Sequence, residues 1–243
     1  MSRRRPLAAG WALALLVAVL FARLGVWQLD RMHRKEAMLA AAQSVLARRV
    51  PQPLALAADP AAARDYAWAA GDGRFPDLPA VLLDNQERDG RAGVRAYRVF
   101  APEHAAPLLV ELGWLPVPGD RRMPRVPVPA VRHVAGLLAP PPSAGLARPI
   151  AQPQPDGSLL LVALDLPLLR GALHLPALSP RVLKLDPALP PAYPRDLDIL
   201  PNTLPPARHL GYAVQWFGLA FTVLAIALVL TLRKPKSSRR PAP

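Results

Sequence analysis

Residues 211–232 read GYAVQWFGLAFTVLAIALVLTL, a run of 22 residues with no charge and no proline. About 20 apolar residues in a helix are enough to cross the hydrocarbon core of a bilayer. A core helix of a soluble protein would normally show a polar face over this length. The segment therefore predicts a transmembrane helix, and it places the chain among membrane proteins.

A second apolar run lies near the start of the chain. Residues 7–29 read LAAGWALALLVAVLFARLGVWQL, with Arg23 as the single charge. A long arginine side chain near the end of a span can extend to the headgroups. The alternative is a cleaved signal peptide, but no small-x-small pair closes the apolar run. We predict an uncleaved anchor and a chain with two transmembrane helices.

The charge distribution indicates the topology. The formal net charge is +13, but residues 30–208 hold 21 basic and 17 acidic residues, a balance of only +4. The remaining +9 lies in the tails and the first span, which is the pattern of a membrane protein and not of a nucleic-acid-binding face. By the positive-inside rule the tails, residues 1–6 and 233–243, are cytoplasmic. We expect a multi-pass protein of the bacterial inner membrane, with residues 30–208 as its periplasmic domain.

The segment between the spans is predicted to be mainly β. It carries 28 of the 32 prolines, within residues 51–206, and proline interrupts helices, so a long helical bundle is excluded. The helix of the first span continues over residues 30–49, and residues 50–63 form a linker or irregular cover. A short helix over 165–173 begins at Asp165. Strand-like runs with turn signals between them predict a mainly β (α+β) fold, a sandwich or open barrel: residues 80–83, 94–100, 108–115, 131–138, 159–164 and 181–185.

The sequence offers little for catalysis. It has no cysteine, which excludes disulfides and thiolate metal sites, and it has no G-x-S-x-G or phosphate-binding glycine loop. Of four acidic side chains in the middle of the chain, three are better explained as turn formers. Four histidines lack ligand spacing. We therefore predict no enzymatic activity. The acids are Asp84, Glu87, Asp89 and Glu111, and the histidines are His33, His104, His133 and His174.

His209 differs from the other histidines. It lies two residues before the apolar run, and Tyr212, Gln215 and Trp216 follow it at helical spacing. One interpretation is an aromatic belt at the membrane interface. The other is an axial haem ligand or a polar contact with another membrane helix, which Gln215 inside the span favours. Both stay open on the residues alone.

Four segments resemble the surfeit locus family of cytochrome c oxidase assembly factors. Residues 24–31, LGVWQLDR, with Lys35 resemble its L-G-x-W-Q-x-x-R-x-x-x-K signature, and residues 209–217, HLGYAVQWF, resemble the signature of its second span. The central LDN at 83–85 with its two following glycines, and GWLP at 113–116, are also similar. The chain departs from the family at Glu111-Leu112, where Asn-Arg is usual, and at Gln86, where arginine is frequent.

The resemblance implies an assembly factor, not an enzyme. Such a protein is a chaperone of respiratory chain biogenesis that assists delivery of haem a to the catalytic subunit of the oxidase, or its insertion there. Haem a would be a transient cofactor; the partners would be the catalytic subunit, other oxidase assembly factors and the lipid bilayer, with no nucleic acid. His209 would be the iron ligand, and Arg31 would pair with a haem propionate. The implied haem-contacting residues are His209, Tyr212, Gln215, Trp216, Trp27, Gln28 and Arg31.

Three other interpretations compete with this one. The two span motifs could simply pack the helices together. The chain could also be a two-span scaffold such as a polysaccharide chain-length regulator, a class whose long helical periplasmic domain the prolines argue against. A tethered periplasmic hydrolase is disfavoured because the chain has no nucleophile motif.

Overall fold

The structure, a computed structural model, describes residues 4–143, 148–191, 193–200 and 203–233. The basic side chains of the two predicted tails, Arg233 apart, lie outside the described residues. The chain forms two compact units. Met1–Met38 and Leu204–Pro243 contribute to the first, called here the helix-pair unit, and Leu39–Thr203 forms the second, the strand unit.

The helix-pair unit is built from two long helices. Helix α1 spans Arg4–Arg48, of which the part up to Met38 belongs to this unit, and helix α3 spans Pro206–Leu232. The segments Leu7–Arg48 and Pro206–Leu232 are long and apolar enough to cross a membrane. Helix α1 continues without a break through residues 30–48 because no proline interrupts it. The prediction of two terminal apolar helices flanking a sheet domain is confirmed.

The strand unit is a single mixed sheet that curls onto itself. The order of its strands is β1-β2-β6-β9-β5-β4-β3-β8-β7. The end of β2 also pairs with the end of β4, so that β2, β6, β9, β5 and β4 form a closed ring. The strands are β1 (Gln52–Pro53), β2 (Ala67–Arg74), β3 (Val81–Arg88), β4 (Arg91–Pro102), β5 (Leu108–Pro116), β6 (His133–Ala139), β7 (Gln152–Pro153), β8 (Leu159–Leu161) and β9 (Val182–Leu185).

Each face of the sheet has its own hydrophobic core. One core includes Val94, Phe100 and Leu138, and Phe75 packs edge-on against Phe100 with ring centroids 4.9 Å apart. The other core includes Tyr97 and Leu109 and is joined by the short helix α2 (Leu166–Ala172). Successive residues of β4 alternate between the two cores because side chains alternate along a strand. Both faces are therefore covered, as the nearly continuous apolar runs of β5 and β9 require.

The sequence predictions for this unit are largely matched. Helix α2 begins after Asp165, whose Oδ1 accepts a hydrogen bond from the Leu168 backbone N–H at 2.8 Å. Residues 50–63 contain a 3₁₀ helix, Leu54–Ala58, that buries Leu54 and Ala57, so this stretch is a cover for the core. Strand β2 and the two-residue strands β1 and β7 were not predicted. The long helical domain of a chain-length regulator does not occur among the described residues.

Candidate functional site

The two helices of the helix-pair unit run antiparallel and share a regular seam. Phe21 contacts Trp216, Gln28 contacts His209 and Lys35 contacts Leu204, so later residues of α3 meet earlier residues of α1. The three α1 residues recur every seven positions. This is the spacing that keeps one face of a helix against its partner.

The seam continues toward the other end of the helices. Trp11 Nε1 donates a hydrogen bond to Thr231 Oγ1 at 3.0 Å, and small residues at Ala18, Ala213 and Ala220 are buried there. A Cβ placed on Gly25 would lie 2.7 Å from the Phe217 ring. Small residues let membrane helices approach closely, and this approach brings polar side chains of the two helices within hydrogen-bonding distance.

His209 is the central residue of the site. It lies in the first turn of α3, and only 6% of it is exposed. Its Nδ1 lies 2.8 Å from Oε1 of Gln28. Its Nε2 is buried and has no hydrogen-bond partner among the described residues. An imidazole nitrogen left without a partner at a buried site is unusual, because buried polar groups are nearly always hydrogen-bonded.

The contact with Gln28 sets the form of the imidazole. A glutamine Oε1 only accepts hydrogen bonds, so Nδ1 must carry the proton and donate it. In this neutral tautomer Nε2 carries no proton and keeps its lone pair. Imidazole binds a metal ion through such a nitrogen. Histidines that bind metals usually donate from their other nitrogen to a fixed acceptor in this way. The contact with Gln28 therefore holds the His209 ring in one orientation and leaves its Nε2 lone pair unused among the described residues.

The remaining predicted residues divide between the seam and the outer faces of the helices. Trp216 is half-buried, with its ring centroid 5.5 Å from that of Phe21. Trp27 and Tyr212 are 53% and 38% exposed, and Gln215 and Arg31 are also exposed. The structure thus brings His209, Gln28 and Trp216 to the seam and leaves the other four on surfaces where a ligand or partner can reach them.

The sequence did not indicate that two further residues belong to this seam. Phe21 and Lys35 were given no role, although they lie seven residues before and after Gln28. The repeated spacing was the available signal. It was hidden because α1 is apolar on all sides around Phe21, so that no face stood out.

The strand unit contains a buried charged cluster. Glu111 is 2% exposed; its Oε1 accepts from Arg95 at 2.5 Å and from Lys184 at 2.9 Å, and its Oε2 accepts from the Tyr97 hydroxyl at 3.1 Å. The strand register explains the cluster, since Glu111 lies opposite Tyr97 on β4 and beside Lys184 on β9. Its carboxylate is fully used by these partners.

The electrostatics of Glu111 indicate a structural role. Burial alone raises the pKa of this carboxyl, but the charges and hydrogen bonds of Lys184 and Arg95 outweigh it and hold the pKa below its usual value. A general acid would need the opposite shift. Asp84 lies apart and pairs with Arg121 at 3.2 Å. Among the residues that the structure describes, no group of three His, Asp or Glu side chains could hold a metal ion.

These features define a class of protein, a two-span membrane protein with a curled β-sheet domain and an oriented histidine between its spans. A sequence model of the SURF1 family matches residues 15–221. The chain belongs to the SURF1 family, as the surfeit locus resemblance predicted. This family is associated with cytochrome c oxidase assembly, and it is a family of assembly factors and not a known enzyme family. A search of curated proteins gives no match.

Proposed function

We propose that this protein assists the delivery of haem a to the catalytic subunit of cytochrome c oxidase, or its insertion there, and that it holds haem a transiently between its two spans. The observation that supports the proposal is the buried His209 ring, with Nδ1 directed to Gln28 and Nε2 without a partner among the described residues. Imidazole nitrogen is a common axial ligand of haem iron. The donor that is present therefore fits the group that the family implies.

Each seam residue has a separate task in this proposal. His209 supplies the single nitrogen ligand through Nε2, and Gln28 fixes the ring orientation by accepting from Nδ1. Phe21 and Trp216 contact each other about two helical turns farther along the seam, and they would cover the apolar part of the ligand. When bound, haem a supplies an iron that takes up such a nitrogen ligand. One protein ligand suits a carrier that must release its cargo.

The outer faces suit contact with other membrane components. Gln215 lies inside the span and is exposed, and its side chain makes no hydrogen bond among the described residues. An amide in hydrocarbon is favourable only with a polar partner. Trp27 and Tyr212 are exposed as well. We propose that these faces, together with Arg31, meet the haem edge or the receiving helices of the catalytic subunit and other oxidase assembly factors.

The topology belongs to the same proposal. The basic residues beyond each apolar run support a location in the bacterial inner membrane with both termini cytoplasmic. The strand unit is then periplasmic, and the His209 end of the helix pair lies at the periplasmic side of the bilayer. His209 would then hold haem a near the periplasmic surface, and the haem would pass to its recipient there.

The test of haem handling is direct. The full chain is purified from membranes of cells that make haem a, and the haem is extracted and identified by its absorption spectrum. We expect haem a to co-purify with the protein, at up to one per chain. A preparation that carries no haem, from cells whose membranes contain haem a, would overturn the proposal.

Gln28→Leu tests the orienting role. We expect its haem affinity to fall by about tenfold, because loss of the partner that fixes a metal-binding histidine typically has this effect. Gln28→Glu keeps an acceptor for Nδ1 and should retain binding. The measurement is a titration of the purified chain with haem followed in the Soret band. Gln43→Leu, on an exposed position of the same helix, is the control, and an equal affinity for Gln28→Leu and this control would contradict the assignment.

A further inference from the structure

Lys35 is a buried cation at the His209 end of the helix pair. It is 8% exposed, and its Nζ donates a hydrogen bond to the backbone carbonyl of Leu204 at 2.5 Å. That partner is neutral. Among the described residues Lys35 forms no ion pair, and the acidic residues nearest to it in sequence, Asp30 and Glu36, are exposed and form none either.

A buried ammonium without a counter-charge is costly. Removing it from water carries a large desolvation penalty, and a single carbonyl oxygen compensates only part of this penalty. An ammonium has three N–H donors, and one of them is used by Leu204. The position is therefore prepared for an anion, and the chain does not supply one among the described residues.

The position of Lys35 relates it to the imidazole. It follows Gln28 by seven residues on the same face of α1, about 10 Å along the helix, and Leu204 precedes His209 by five residues. A ligand held by His209 Nε2 would thus find a cation farther along the same seam.

We propose that Lys35 binds a carboxylate of the ligand whose metal His209 holds, so that the site recognises a metalloporphyrin that carries free carboxylates. The inference rests on the proposed function and extends it, since it assigns the charged part of the ligand to a residue that is not otherwise explained. A haem has two propionate carboxylates, and pairing one with Lys35 neutralises the ammonium inside the seam. Arg31 is exposed, and it remains free for the other carboxylate or for headgroups.

The test compares haemin with haemin dimethyl ester, which lacks both negative charges. The purified full chain in detergent is titrated with each and binding is followed in the Soret band. We expect the parent to bind haemin about tenfold more tightly than the ester, the usual effect of one hydrogen-bonded charge pair. Lys35→Gln should lose this preference by weakening haemin binding alone, and Lys35→Arg should keep it. Arg34→Gln removes the neighbouring exposed charge and is the matched control.

The outcomes separate the inference from the proposed function. A parent that binds haemin and its ester equally well would overturn the role of Lys35 and leave haem binding intact, and this result needs no variant. A Lys35→Gln protein that loses affinity equally for both porphyrins would show that Lys35 only stabilises the start of α3. A parent that binds neither porphyrin would contradict the proposed function itself.

Discussion

Replacing His209 with alanine is expected to lower the haem affinity of the purified protein by more than about 100-fold. Loss of an orienting partner alone lowers metal affinity by up to about 100-fold, and this change removes the ligand itself. The substitution also leaves Gln28 without its partner in the seam. The measurement is an equilibrium titration with haem, with the Soret position reporting loss of the nitrogen ligand. Protein purified from haem a-containing membranes should also carry correspondingly less haem.

The control for this substitution is a histidine elsewhere in the chain. His104 is exposed in a turn after β4, and His104→Ala should bind haem as the parent does. Membrane insertion and the secondary structure of the strand unit should be the same in both variants, because neither residue contributes to the cores of that unit. Equal haem content in His209→Ala and the parent would remove His209 from the mechanism.

Glu111→Ala is expected to lower the free energy of unfolding of the strand unit by about 3–5 kcal/mol, the usual cost of removing one partner from a buried ion pair. The Arg95 guanidinium and the Lys184 ammonium, both buried, would lose this carboxylate, and Arg95 would keep only the more distant Asp196, at 3.9 Å. Urea unfolding of the full chain followed by circular dichroism measures the change. Glu87→Ala removes an exposed acid from β3 and should change stability by less than about 0.5 kcal/mol. Equal effects of the two substitutions would contradict this account of the cluster.

The ionisation of Glu111 should also make the stability of the strand unit depend on pH. Because the folded pKa of Glu111 is depressed by Lys184 and Arg95, its ionised form stabilises the fold above the pKa of the unfolded chain. This contribution is lost as the pH falls from the unfolded value through the lower folded value. The parent should therefore lose stability more steeply with acidification in that window than Glu111→Gln, which has no proton to take up. Parallel curves would show that Glu111 titrates alike in both states.

The spans and most strands were predictable because their signals are local. An uncharged run of 22 residues is sufficient for α3, and β5 and β9 are short apolar runs between turn residues. Strand β2 was not predicted because its AWAAGDGR segment resembles a turn. Its strand conformation depends on pairing with β6 and β1 and with the end of β4. Such pairing is set by tertiary contacts, which often override weak local preference.

The residues that meet between the two helices were predictable in part for a related reason. His209 stood out because it is polar at the edge of an apolar span. The face it uses was not predictable, because α3 is apolar on all sides and the sequence does not show whether Tyr212 or Trp216 turns to the partner helix. The partners of Glu111 were equally hidden, since Lys184 is 73 residues away and only the sheet order brings β9 beside β5.

The most direct test of the central claim uses membranes of a strain in which the gene for this protein has been deleted. The haem a absorbance band and cytochrome c oxidase activity are recorded in the deletion strain, and again after it is supplied with the parent chain or with His209→Ala. The account predicts that both signals fall on deletion, return with the parent chain and return poorly with the variant at equal protein level. Unchanged haem a absorbance and oxidase activity in the deletion strain would contradict it.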